Sequence, residues 1–119
     1  MTITNTDDMI DSRVIISRIE DLEALALDST AMPEELAEMD TLRALAEEAA
    51  QYAPDWEHGE TLIRDSYFKT YAQELAEDCG MIDDSAKWPN SCIDWDRAAH
   101  ELQQDYTAVD FGGVTYWTR

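Results

Sequence analysis

Two helical stripes separated by a proline constrain this chain more than any other feature. In DSRVIISRIEDLEALALD, residues 11–28, Ile15, Ile19, Leu22 and Leu25 or Ala26 recur at the spacing of one helix face, with charges between them. Ser12 is a suitable N-cap. STAMPEE breaks the pattern, and Pro33 fits the first turn of a second helix, where its missing N–H costs nothing. Leu36, Met39, Leu42, Leu45, Ala46 and Ala49 carry the second stripe. Neither helix can bury its stripe alone. They must pack on each other, on the rest of the chain or on a second copy. Residues 1–53 therefore read as an acidic helical hairpin, with residues 1–10 frayed and polar.

YAPDWEHGE (52–60) marks a linker over 54–60, punctuated by Pro54 and Gly59 and anchored by Trp56. Residues 61–119 alternate element types. TLIR (61–64) reads as a short strand. Asp65 or Ser66 is placed to cap a helix whose inward face is Phe68, Tyr71, Ala72, Leu75 and Cys79, with Gly80 ending it. The loop MIDDSAKWPNS follows, with Trp88-Pro89 as a rigid element. Asp94 then caps a helix from about Trp95 to Gln104. YTAVDF and VTYWT flank Gly112-Gly113, a strong hairpin signal. Val109 and Phe111 share one face, and Val114, Tyr116 and Thr118 share a face of the partner strand. Residues 61–64 should complete the sheet, because two strands alone are marginal. The expected fold class is α+β: an N-terminal helical hairpin followed by a small antiparallel β-sheet with two helices.

Charge narrows the partners. Asp and Glu number 27 against 8 Lys and Arg, a net charge of −19. Residues 1–60 hold 16 acids and 3 bases, and residues 61–119 hold 11 and 5, so both halves are acidic. Such a surface repels nucleic acid and anionic membrane and attracts basic surfaces. Duplex DNA carries one charge per ~1.7 Å of axis, so this charge matches about 32 Å of duplex, roughly 9–10 base pairs. A compact chain of this length has a radius of gyration of about 13–14 Å and is on the order of 35 Å across. Charge per unit length would then resemble that of DNA. No basic leader or spanning apolar run is visible, so a cytosolic protein without a membrane partner is expected. Cys79 and Cys92 read as buried small hydrophobes.

Catalytic and metal motifs are missing. No phosphate loop, G-x-S-x-G or H-E-x-x-H occurs. His58 and His100 are the only histidines, and a metal site would need them to converge with carboxylates. Asp83 and Asp84 lack the glycine and spacing of a calcium loop. Catalytic carboxylate pairs need a raised pKa from burial, and no acid is singled out. A non-enzyme without cofactor or metal is expected. In CIDWDRAAHELQQDY (92–106), Asp94, Glu101 and Asp105 form one helical row, beside a core face of Trp95, Ala98, Ala99 and Leu102.

WPNSCIDWDRAAHELQQDYTAVDFGGVTYWTR resembles the C-terminal region of ArdA-like antirestriction proteins. There a segment (Y/C)-I-D-(W/Y)-x-x-x-A-x-x-L-x-x-D-Y precedes a short hairpin. Ile93, Asp94, Trp95, Ala99, Leu102, Asp105 and Tyr106 carry the match, and LIRDSYFKTYAQELAEDCG resembles the preceding helix. The resemblance covers about residues 61–119. Full-length members carry further domains before this region, which the hairpin does not match. The resemblance implies a protein that mimics bent B-form DNA and occupies the DNA groove of type I restriction-modification enzymes, in a bacterial host cell. CRISPR effectors also hold DNA in basic grooves.

The expected function is an acidic DNA-mimic inhibitor of such a defence enzyme. Glu34, Glu35, Glu38, Glu47, Glu48, Asp96, Glu101 and Asp105 would meet the partner's Lys and Arg. A homodimer through the hairpin would lengthen the charged surface. The alternative is an acidic dimeric adaptor that recognises another protein through Ile15, Ile19, Leu22, Leu36 and Met39.

Overall fold

A three-residue strand, β1 (Met9–Asp11), precedes the hairpin and ties it to the second half of the chain. The computed structural model describes residues 3–80, 87–88 and 90–119. After β1 come α1 (Ser12–Leu27) and α2 (Pro33–Tyr52), then β2 (Thr61–Arg64) and a 3₁₀ turn (Asp65–Tyr67). They are followed by α3 (Phe68–Asp78), a second 3₁₀ turn (Asn90–Cys92), α4 (Trp95–Gln103), β3 (Thr107–Phe111) and β4 (Val114–Thr118). The strands form one antiparallel sheet in the order β1-β2-β4-β3. The architecture is α+β, with a helical hairpin, a small antiparallel sheet and two further helices.

Residues 3–10, before the hairpin, are not frayed. Met9, Ile10 and Asp11 pair with Ile63, Leu62 and Thr61. Ile3 is buried, the Asn5 amide donates to the Gly112 carbonyl at 3.2 Å, and Arg64 Nε donates to the Asn5 carbonyl at 2.8 Å. Three strand residues are too few to show a period, so only the partner strand reveals them. Nor is Ser12 the cap of α1. Asp11 takes that role, accepting from the Arg13 amide at 2.9 Å. Ser12 is fully buried. Its hydroxyl donates to the Trp56 carbonyl and accepts from the Glu60 amide, both at 2.7 Å. One hydroxyl thus fastens residues 56–60 to the foot of the hairpin.

Alternation along the strands divides the core between two faces. Ile10, Leu62, Val109, Phe111 and Tyr116 face the hairpin and pack with Ile15, Leu22, Leu42, Leu45 and Ala49, with Trp56 in the same cluster. Ile63 and Trp117 face the other way, against Phe68, Ala72 and Ala99. The sheet is therefore the middle layer of three. Gly112 and Gly113 turn the β3–β4 hairpin with φ of +58° and +89°, both in the left-handed region that a two-residue turn of this kind requires.

The α3–α4 layer departs from expectation in three places. α3 begins at Phe68 after the 3₁₀ turn, without a side-chain cap, because Asp65 accepts from the Trp117 indole at 2.9 Å. Trp95 is only half-buried; Ala99 is the buried residue of α4. Cys79 and Cys92 are free and exposed, one at the end of α3 and one in a 3₁₀ turn, not core residues. Asp94 does cap α4, accepting from the Arg97 amide at 3.2 Å, and Gly80 follows α3 at φ +71°. Asp83, Asp84 and Pro89 lie outside the described residues.

The molecule is a rod, not a sphere. Its principal extents are 60 × 23 × 23 Å and its radius of gyration is 17.2 Å. The 20 residues of α2 span about 30 Å, whereas a five-residue strand spans about 17 Å. A hairpin longer than the sheet it lies on must run past it.

Candidate partner-binding surface

The eight acids expected to meet a partner divide between the two outer layers. Glu34, Glu35, Glu38, Glu47 and Glu48 lie on α2, on one side of the sheet. Asp96 and Glu101 lie on α4, on the other side. Asp105 sits beyond the end of α4, in the turn where its amide donates to the Leu102 carbonyl at 3.2 Å. The fold places these acids on both sides of the sheet, not in one row.

Five of the eight already have partners. Glu35 accepts from the Met32 amide at 3.0 Å at the start of α2. Glu38 takes a two-point contact from Arg18, at 2.7 and 3.2 Å, across the hairpin. Both side chains are only about one-fifth exposed, at 21 % and 22 %. The hydrogen bond to Glu38 raises the Arg18 pKa above its usual range. Glu48 accepts from the Asp110 amide at 2.9 Å. Asp96 pairs with Lys69 at 3.2 Å, and Glu101 with Arg97 at 3.4 Å, both on the surface. Surface pairs of this kind are weak and exchange readily for a better cation. Among the described residues the exposed carboxylates of Glu34, Glu47 and Asp105 have no intramolecular partner.

The seam between α2 and β3 adds acids that the sequence did not single out. One shallow groove is lined by Asp40, Thr41, Ala44, Asp110 and Gly112. The next is lined by Ala44, Glu47, Glu48, Gln51, Tyr52, Thr107 and Ala108. Four carboxylates, Asp40, Glu47, Glu48 and Asp110, thus border a single strip between a helix and an edge strand. Small residues at Ala44, Ala108 and Gly112 leave the strip open to solvent. The outward position of Asp110 was readable from strand alternation; its meeting with Glu48 depends on the long-range packing of α2 on β3.

Among the described residues no group of three or more His, Cys, Asp or Glu side chains could hold a metal ion. His58 and His100 are both exposed, on residues of different layers. No described helix is long and apolar enough to cross a membrane. No protein-family model, curated protein or solved structure matches this chain.

Proposed function

We propose that this chain is a non-enzymatic DNA mimic that fills the DNA-binding channel of a host defence enzyme, either a type I restriction-modification enzyme or a CRISPR effector, in the bacterial cytoplasm. One observation carries the reading: a chain of net charge −19 forms a rod 60 Å long and 23 Å thick, with acids on both outer layers. That girth is close to the girth of a B-form duplex.

The rod shape lowers the charge per unit length below that of a duplex. A 60 Å length of duplex carries about 35 phosphate charges. The protein's net charge is about half of that. Parity with DNA held only for a sphere of smaller span. What supports mimicry now is the distribution. Acids on opposite sides of the sheet suit a basic channel that surrounds its ligand, and suit a flat basic patch poorly. Lys and Arg that normally meet phosphates would replace Lys69 and Arg97 at Asp96 and Glu101, and would meet Glu34, Glu47 and Asp105 directly.

The test is competition. DNA binding by a type I restriction-modification enzyme, or by a CRISPR effector, is measured with increasing amounts of this protein across a salt series. Inhibition should fall steeply as salt rises. Glu34→Gln, Glu47→Gln, Glu101→Gln and Asp105→Asn together should weaken it more than any one alone. Inhibition that is unchanged between low and moderately high salt would exclude electrostatic mimicry.

A further inference from the structure

The distal half of the hairpin leaves an apolar surface that the fold does not use. Of the expected recognition stripe, Ile15, Leu22 and Met39 are buried in the core and Ile19 packs against it, while Leu36 stays exposed. Other apolar residues near the hairpin tip are exposed with it. Leu27 is 86 % exposed, Met32 59 % and Leu36 41 %. Residues 36, 39 and 43 follow at i, i+3 and i+7, so Leu36, Met39 and Arg43 share one strip of α2. Against that strip α1 sets Glu23, Ala26 and Leu27, and together the two helices form an open groove along their seam.

Three aspects of this groove point to its occupant. Its floor is apolar, made by Ala26, Leu27 and the buried Met39, and exposed Met32 stands at the hairpin tip. Methionine side chains re-pack to fit different apolar partners. Its length follows two antiparallel helices, the form that receives an amphipathic helix by anchors at i, i+3 or i+4, and i+7. Its charge is negative. Exposed Glu20 precedes Glu23 by one turn of α1, and exposed Asp28 follows Leu27. The base at the groove, Arg43, is already held by Glu23 at 3.1 Å. A second copy would bring these acids against its own, on a chain that already carries −19.

We propose that the hairpin seam is a docking groove for a basic amphipathic helix of a protein partner. The partner's apolar stripe seats on the exposed Leu27 and Leu36, above the buried Met39, and its flanking Lys and Arg meet Glu20 and Asp28. This contact is independent of the blocking of a DNA channel, because apolar burial resists salt whereas phosphate mimicry does not.

The full chain is titrated by calorimetry with a synthetic amphipathic peptide of about 18 residues, five helical turns. The peptide has a leucine stripe flanked by lysines. A control peptide keeps the lysines and replaces the leucines by serine. The variant carries Leu27→Ser and Leu36→Ser, both at exposed positions, and its fold is checked by circular dichroism. The stripe peptide should bind the native chain at least ten-fold more tightly than it binds the variant, at moderately high salt as well as low. The control peptide should not distinguish them. Equal binding of the stripe peptide to both proteins overturns the proposal. So does sedimentation of the native chain as a dimer that the variant loses, since a second copy would then cover the seam. Loss of competition with DNA in the salt series leaves this result untouched.

Discussion

On the hairpin face of the sheet, Ile15, Leu22, Leu42, Leu45, Leu62 and Tyr116 are each no more than 1 % exposed. On the opposite face Ile63, Phe68, Ala72 and Ala99 are the buried cluster among the described residues, and half-buried Leu102 and aromatics complete that layer. Phe68 stands at its centre, with ring centroids 5.2 Å from Tyr106, 5.5 Å from Tyr71 and 6.1 Å from Trp117. The Tyr71 and Tyr106 hydroxyls are bonded to each other at 2.9 Å, and Arg119 lies 5.5 Å from the centre of the Tyr106 ring. The first core rests on the amount of apolar area removed from water, which has no preferred direction. The second rests on a few rings in set orientations. A layer with few fully buried residues opens at lower free energy than the core beneath it. The hairpin and sheet should therefore outlast the α3–α4 layer.

The largest effect, and the sharpest test of that contrast, is expected from Phe68→Ala. It should cost about 3–5 kcal/mol, the range for removing a buried aromatic. Hydrogen exchange should show α3 and α4 amides losing protection first, with the hairpin amides retained. Simultaneous loss in all elements would mean that the two cores are one cooperative unit. Leu42→Ala should cost about 2–5 kcal/mol. Its loss should appear in every element together, as read by urea unfolding with two probes.

Alkaline pH addresses both faces at once. Burial pushes the Tyr116 hydroxyl up to about 12, from 10.0. On the other face burial, with the hydrogen bond to Tyr71, also raises Tyr106. Between pH 10 and 12 the unfolded chain releases the Tyr116 proton and the folded chain keeps it. Stability from this group is complete below about 10 and is lost as pH rises toward 12. Unfolding midpoints in that window should fall, and Tyr116→Phe or Tyr106→Phe should each flatten the fall. If only Tyr106→Phe does so, the hairpin face does not contribute.

Two smaller effects separate folding from binding. Asp94→Ala removes the cap of α4 and should cost about 0.5–2 kcal/mol, with exchange rising at that helix alone. Glu101→Gln should change stability by less than about 0.5 kcal/mol, because its pair with Arg97 is exposed. Any larger loss of inhibition by that variant then belongs to the partner surface.

Local signals carried most of the legible fold. Pro33 marks the second helix, Gly112-Gly113 the turn and Asp94 the cap, and each acts within a few residues of itself. β1 was hidden because its existence depends on β2, some fifty residues away. Ser12 was misread for the same reason: its best partners are the Trp56 carbonyl and Glu60 amide, not its own helix. The acids of the candidate surface were visible as residues, but their placement was not. Which side of the sheet a helix covers is fixed by its apolar face meeting strands elsewhere. That is why α2 and α4 took opposite sides and Asp110 came to lie beside Glu48.

The bond from the Asp110 amide to Glu48 has a consequence for keeping the protein in solution. β3 is a terminal strand of the sheet, and a terminal strand offers its outward amides as a template for another chain to extend. Glu48 occupies that outward amide with a carboxylate, and β1, at the other border, is only three residues long. A foreign strand arriving at β3 must displace a charge before it can pair. The same acid that adds to the negative surface therefore acts as a gatekeeper against fibril growth, and Glu48→Ala should make concentrated samples scatter more light on standing.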